Sequence, residues 1–359
     1  MTNEKREIRA ASFALCSSVL GVIFMRVFVY FLPIATDTYG GSLASSAAFT
    51  LPTQLIFFFA VPFAVYKLYG KRTVKGVFTY SSCAKFKPYF LLAIPLGVAV
   101  YFVTVFVSSA WTGILRFTGY TVPSSSPDMP PGFSGGFFVA DVLLTALLPA
   151  VCEEFCMRGG MLTAARKRSG KLACVIIFGI MFGLFHQNVR QVFYTTLFGM
   201  LATYVTLETD SLYPAMLMHF TNNFLSVYFD YATEYGWFGG GIFGAIGAFP
   251  AWATVAVFLA AALVAAAVVT FILYMRDRNE YIARKRRLGD MRLAAANGEM
   301  PQNDKSASGA SETEPTENAS SEKLEAACAP RVREYALAIS LGAVTVLTTV
   351  FTYVWGFLY

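Results

Sequence analysis

Charged residues and histidine are both scarce in this sequence. Of its 359 residues only 14% are charged and 2 are histidine, whereas 56% are hydrophobic and 34 are phenylalanine. Soluble domains carry roughly 25% charged residues, so a soluble protein of this composition would have to bury several uncharged runs of bilayer length in one core. The composition therefore predicts an all-α fold, a polytopic bundle of transmembrane helices.

Paired cysteine spacing is also missing. The 6 cysteines show no disulfide framework, which excludes a small secreted disulfide-rich scaffold. Cys83 and Cys328 lie in loops that we predict to be cytoplasmic, where thiols stay reduced. The charged start, MTNEKREIR, leads into an apolar run that is too long for a signal peptide and has no small-residue cleavage site. We therefore expect this run to be retained as the first span.

Apolar runs separated by polar loops predict about nine membrane spans. Lys and Arg are concentrated in alternate loops, and the positive-inside rule then places the N-terminus inside and the C-terminus outside. Topology thus explains the net charge of +6, and nucleic acid is not expected as a partner. The predicted spans are roughly residues 10–35, 44–66, 88–115, 137–165, 172–189, 191–207, 211–229, 250–275 and 334–357.

A soluble insert, residues 276–333, interrupts the last part of the chain. It begins with a basic stretch at 276–292, which could attract anionic lipids, although such loops usually only determine topology. It continues as a Ser/Glu/Pro-rich segment that its composition predicts to be disordered. The predicted division is a three-helix N-terminal part (1–136), a catalytic core (137–230), an eighth-helix region (231–275), the insert (276–333) and a last span (334–359).

Ionisable residues inside predicted spans are the strongest functional signal, because they are costly in a membrane and therefore usually functional. The stretch VCEEFCMRGG places Glu153, Glu154 and Arg158 in one span, and His186 and His219 lie in two others. The depth of each side chain in the membrane follows from the number of residues between it and the nearest loop on one membrane face, multiplied by the helical rise per residue. The depths are ~20 Å for Glu153, ~22 Å for His186 and ~14 Å for His219. Similar depth supports a shared site.

Helical spacing separates the expected roles of the two glutamates. Glu154 and Arg158 are spaced i, i+4 with the acid first, which favours an ion pair on one helix face. Glu153 is turned ~100° away and has no local cation, so it is the better candidate for a general base. His219 and Asn223 are also spaced i, i+4, so one helix face offers an imidazole and an amide together.

Three kinds of site are compatible with these side chains. A glutamate, two histidines and an asparagine provide a general base and donors to an oxyanion, as water attack on a carbonyl requires. Glu153, His186 and His219 could instead hold a zinc ion. Intramembrane Glu, His and Arg also form transporter sites, although no inverted repeat of the motif is found elsewhere in the chain.

Three short motifs occur in order on successive predicted spans. EEFCMR (153–158) matches the pattern EExxxR, FGLFH (182–186) matches FxxxH, and HFTNN (219–223) matches HxxxN. The ordered set resembles the CPBP family of intramembrane proteases, which includes CAAX prenyl endopeptidases and bacteriocin-processing or immunity (Abi) proteins. The resemblance covers about residues 137–230, and the rest of the chain carries no motif that we can match.

The resemblance implies an integral membrane endopeptidase that cleaves a peptide or a membrane protein in or beside the membrane. Glu153 would activate water with His186 as its partner, and His219 and Asn223 would stabilise the oxyanion. Zinc stays possible as a cofactor, because the same side chains suit a metal-dependent or a glutamate-dependent hydrolase. The residues expected to support this site are Glu154, Arg158 and Phe182, the last of which can pack on the His186 ring.

A non-proteolytic membrane protein is the alternative. It would be transporter-like, or an immunity-type scaffold that retains the motifs without using them. In either case the prediction is a multi-pass protein in the plasma membrane of a bacterium.

Overall fold

The structure, a computed structural model, describes residues 3–32, 39–71, 86–121, 129–167, 169–248 and 251–296. These residues form a helical bundle without strands, which confirms the predicted all-α fold. The helices are α1 (Asn3–Tyr30), α2 (residues 39–69), α3 (Pro88–Phe117), α4 (Gly135–Ala165), α5 (Lys171–Phe185), α6 (Val192–Thr209), α7 (Tyr213–Tyr235), α8 (Ile242–Gly247) and α9 (Ala251–Ala296).

Within the described part of the chain, 5 helices are long and apolar enough to cross a membrane: α1, α2, α3, α4 and α9. This confirms an integral membrane protein. Helices α5, α6 and α7, with 15, 18 and 23 residues, occupy the positions of the predicted spans between α4 and α9, but they are not among these 5 helices. The predicted span 334–357 lies outside the described residues, so the total number of spans and their orientation stay predictions.

Helix α4 continues through Gly159 and Gly160 to Ala165, as the sequence predicts. Two stretches of it, Val142–Leu147 and Phe155–Met161, have the wider turns of a π-helix. A Cβ on Gly160 would lie 2.0 Å from the ring of Tyr66 on α2. The glycine therefore allows α2 to pack closely against α4 where a larger residue would not fit.

Helices α5 and α6 form a tight hairpin that presents His186 at the end of α5. Added Cβ atoms on Gly179 and Gly183 would lie 2.2 Å from Met200 Cγ and 2.0 Å from Thr196 Oγ1, both on α6. Small residues at this spacing let helix backbones approach closely in a membrane. The position of His186 thus depends on glycine at 183 and 179, one and two helical turns before it.

Charged residues cluster at the opposite end of the same hairpin. Arg166 donates to Asp210 across 2.8 Å, and Glu208 pairs with both Lys171 and Arg276. The turn at 208–210 has acidic residues but no Lys or Arg, so the positive-inside rule assigns it to neither side of the membrane. In the structure this turn lies beside basic loop residues. Arg276 is part of the continuous helix α9, so the predicted basic stretch of the insert begins as helix.

Candidate active site

An ion pair lies at the centre of the bundle, with both side chains fully buried. Arg158 Nη1 donates to Glu154 Oε1 across 3.1 Å, which confirms the predicted i, i+4 pair on α4. Arg158 Nη2 also donates to the carbonyl oxygen of Gly199 at 3.0 Å, and its guanidinium carbon lies 4.4 Å from the centre of the Phe182 ring. These partners compensate for burying two charges at membrane depth.

His219 joins this buried pair. Its Nδ1 lies 3.0 Å from Glu154 Oε1, and its ring packs against Phe182 and Phe198, with centroids 5.8 and 4.9 Å away. An ionised carboxylate only accepts hydrogen bonds, so Nδ1 donates and Nε2 is the remaining ring nitrogen. The histidine that the sequence places near Glu153 therefore contacts the neighbouring Glu154.

Glu153 and His186 line a second, separate feature, a cavity of about 150 Å³. Its walls are mostly apolar, with a few polar groups. The remaining lining residues are Val22, Arg26, Phe49, Thr53, Gln54, Phe58, Met157, Phe182, Phe185 and Gln191. We call this the Glu153 cavity.

His186 is held on three sides. Its Nδ1 lies 2.8 Å from the carbonyl oxygen of Phe182, and the two rings meet edge to face at 5.0 Å, which confirms the predicted packing. The carbonyl accepts from Nδ1–H, so Nε2 is the other ring nitrogen. Arg26 on α1 donates from Nη2 to the His186 carbonyl oxygen at 2.8 Å. Helix α1 thus anchors the backbone of His186, and Phe182 on α5 orients its imidazole.

Glu153 is partly exposed and has one hydrogen-bond donor among the described residues. Gln54 Nε2 on α2 donates to Glu153 Oε1 across 2.8 Å. The sequence motifs include neither Gln54 nor Arg26. Both carried a signal, because each is a polar residue inside a long apolar run.

Asn223 lies apart from the Glu153 cavity. Its Nδ2 donates to the carbonyl oxygen of Thr145 at 3.0 Å, and its Oδ1 accepts from Asn222 Nδ2 at 3.0 Å. Neither Asn223 nor His219 lines the cavity. Phe182 connects the two parts of the site, since its ring touches Arg158, His186 and His219.

The candidate zinc ligands do not fit a metal centre in this arrangement. Across the described residues, no three His, Cys, Asp or Glu side chains group closely enough to hold a metal ion. In the set Glu153, His186 and His219, the first two line the Glu153 cavity and His219 does not. A zinc site needs three or four converging ligands, so no catalytic step is assigned to zinc.

Comparison with protein families identifies the central segment. Residues 135–225 match the family model described as type II CAAX prenyl endopeptidase Rce1-like. The chain contains an Rce1-like domain. This match supports the resemblance to CPBP intramembrane proteases that the three motifs carry, and it supports a membrane endopeptidase, a hydrolase, in general.

The Rce1-like domain begins with α4 and ends within α7. It includes both halves of the site just described, but it excludes Arg26 and Gln54. No curated protein and no solved structure matches the chain.

Proposed function

We propose that the chain is an integral membrane endopeptidase in which Glu153 activates water and His186 assists. The supporting observation is that Glu153 and His186 line one cavity, while Glu154 is occupied by Arg158 and His219. A general base must reach its water directly, and only a side chain at the cavity surface can do so.

The proposed reaction is hydrolysis of a peptide bond. Glu153 takes one proton from water as the water oxygen bonds to the carbonyl carbon, and it gives that proton to the amine when the C–N bond breaks. His186 Nε2 is a further polar atom for the reaction, since Nδ1 is bonded to Phe182. General acid–base catalysis of this kind contributes roughly 10²–10⁴-fold to rate.

Oxyanion stabilisation by His219 and Asn223 is the second part of the proposal. Asn223 keeps a second N–H beside the one that contacts Thr145. His219 Nε2 donates only when the ring is protonated, because Nδ1 already donates to Glu154. Since neither side chain lines the cavity, this part is tested separately, with His219→Gln and Asn223→Ala.

A peptide segment or a membrane protein is the proposed substrate, reaching the cavity from the membrane. Anionic lipids are a second proposed partner at 276–292. Arg276 is already paired with Glu208 and Asp277, so lipid contacts would depend on later basic residues of α9 such as Lys285 and Arg286. The plasma membrane of a bacterium stays the predicted location.

The test is peptide hydrolysis by the purified full chain in proteoliposomes, screened with a mixed library of apolar and prenylated peptides. Glu153→Gln and His186→Ala are expected to abolish cleavage that wild type shows. Glu280→Gln, the same change at an exposed position on α9, is the matched control and should cleave normally. Normal cleavage by both site variants would contradict the proposal, and solute flux lost in both would indicate a transporter instead.

A further inference from the structure

Helix α2, which lies outside the Rce1-like domain, forms a polar wall of the Glu153 cavity. Thr53 and Gln54 both line the cavity and are only 2% and 6% exposed. They are adjacent polar residues in an otherwise apolar run, LPTQLIFFF. Buried polar side chains at such a place need partners.

Only one of the two polar atoms of the Gln54 amide has a hydrogen-bond partner among the described residues. Its Nε2 donates to Glu153 Oε1 at 2.8 Å, and this determines the amide orientation, because a carboxylate cannot donate. Its Oε1 is buried and accepts no hydrogen bond from any described residue, and the same is true of Thr53 Oγ1. Leaving a buried acceptor without a donor is costly, so a ligand with an O–H or N–H group is expected there.

We propose that Gln54 is a positioning residue that aligns both Glu153 and the water molecule it activates. Gln54 Nε2 holds one carboxylate oxygen of Glu153, and Gln54 Oε1 accepts a hydrogen bond from the water. The role depends on the peptidase function proposed above, because it assigns a task within that reaction.

Two acceptors then orient one water. One O–H points to the free oxygen of Glu153 and the other to Gln54 Oε1, so the lone pairs face away from both acceptors. On attack, the first O–H breaks and its proton goes to Glu153, while the oxygen bonds to the substrate carbonyl carbon. The second proton stays on that oxygen and remains bonded to Gln54. Correct orientation of a nucleophile is a large part of enzymatic rate enhancement.

The kinetic test uses Gln54→Met, which keeps the length of the side chain and removes both polar atoms. The expected result is a fall in kcat of about 10–100-fold, the effect of losing a hydrogen bond to a charged group. KM should stay within about threefold, because water and not substrate is affected. Thr206→Val is the matched control: it removes a buried hydroxyl whose partner among the described residues is the carbonyl of Ala202, also on α6, and kcat should not change.

Two kinetic outcomes would overturn this role. An unchanged kcat in Gln54→Met would show that Gln54 does not act in catalysis. A raised KM with unchanged kcat would show that Gln54 binds substrate instead of water.

A stability test of the same pair needs no activity. Gln54→Glu places two carboxylates in contact, so at pH 8 it should lower the unfolding temperature in detergent. Adding Glu153→Gln exchanges donor and acceptor across the same contact and should restore most of that loss. A double variant no more stable than Gln54→Glu would contradict the pairing. If Glu153→Ala kept full activity, the proposed function would be refuted. The stability test of the contact between Gln54 and Glu153 would still be valid.

Discussion

Arg158→Met is the change with the clearest expected consequence for stability. Methionine is unbranched, shorter than arginine and carries no charge, so Glu154 would be left fully buried with His219 as its one remaining partner among those described. Removing one member of a buried ion pair costs about 3–5 kcal/mol, because it leaves an uncompensated charge. The contacts of Arg158 with Gly199 and with the Phe182 ring are lost as well.

The double variant Glu154→Gln, Arg158→Met separates this cause from simple loss of packing. It removes both charges, and the amide introduced in place of the Glu154 carboxylate retains an oxygen for His219. Since replacing a buried pair entirely is often neutral, we expect the double variant to be more stable than Arg158→Met alone by about 2 kcal/mol or more.

The assay is denaturant-induced unfolding in detergent micelles, followed by tryptophan fluorescence. If Arg158→Met lowers the free energy of unfolding by less than about 1 kcal/mol, the buried pair contributes as little to stability as exposed ion pairs do. A double variant less stable than the single variant would refute the reasoning that an uncompensated charge is the cause.

Three further results are expected from substitutions, and one from metal removal. Gly183→Ala, whose Cβ would lie 2.0 Å from Thr196 Oγ1, should destabilise by about 1–3 kcal/mol and reduce activity by displacing His186. Gly113→Ala, in helix α3 with open space around its Cβ, should be neutral or stabilising by up to about 1 kcal/mol in the same unfolding assay. Arg26→Met should lower kcat by about tenfold without loss of folding, since it removes one hydrogen bond that holds His186. Peptide hydrolysis should persist in EDTA, because the candidate ligands do not converge among the residues described, and activity lost in EDTA and restored by zinc would contradict this.

Much of the fold follows from apolar run length and from spacing along α4. The pairing of Glu154 with Arg158 is determined by helix geometry alone, so the sequence predicts it correctly. The wider turns at Phe155–Met161 and the close contact of Gly160 with Tyr66 depend on neighbouring helices. No local pattern reveals which helices are neighbours.

In the candidate site, too, the sequence does not reveal which helices are neighbours. Depth along the helices predicts that polar groups of α4, α5 and α7 lie at one level, but it does not distinguish Glu153 from Glu154 as the contact of His219. Gln54 enters the site from α2, about a hundred positions earlier in the chain, and only the packing of α2 on α4 brings it to Glu153. A single sequence therefore does not show which helices pack side by side.

The most direct test of the central assignment is peptide hydrolysis by Glu153→Gln measured beside Glu154→Gln. If Glu153 activates water, Glu153→Gln should bind peptide but release no product, with unchanged unfolding temperature. Glu154→Gln should instead lose stability and keep measurable hydrolysis in the fraction that folds. Normal hydrolysis by Glu153→Gln, with hydrolysis abolished in well-folded Glu154→Gln, would contradict the account.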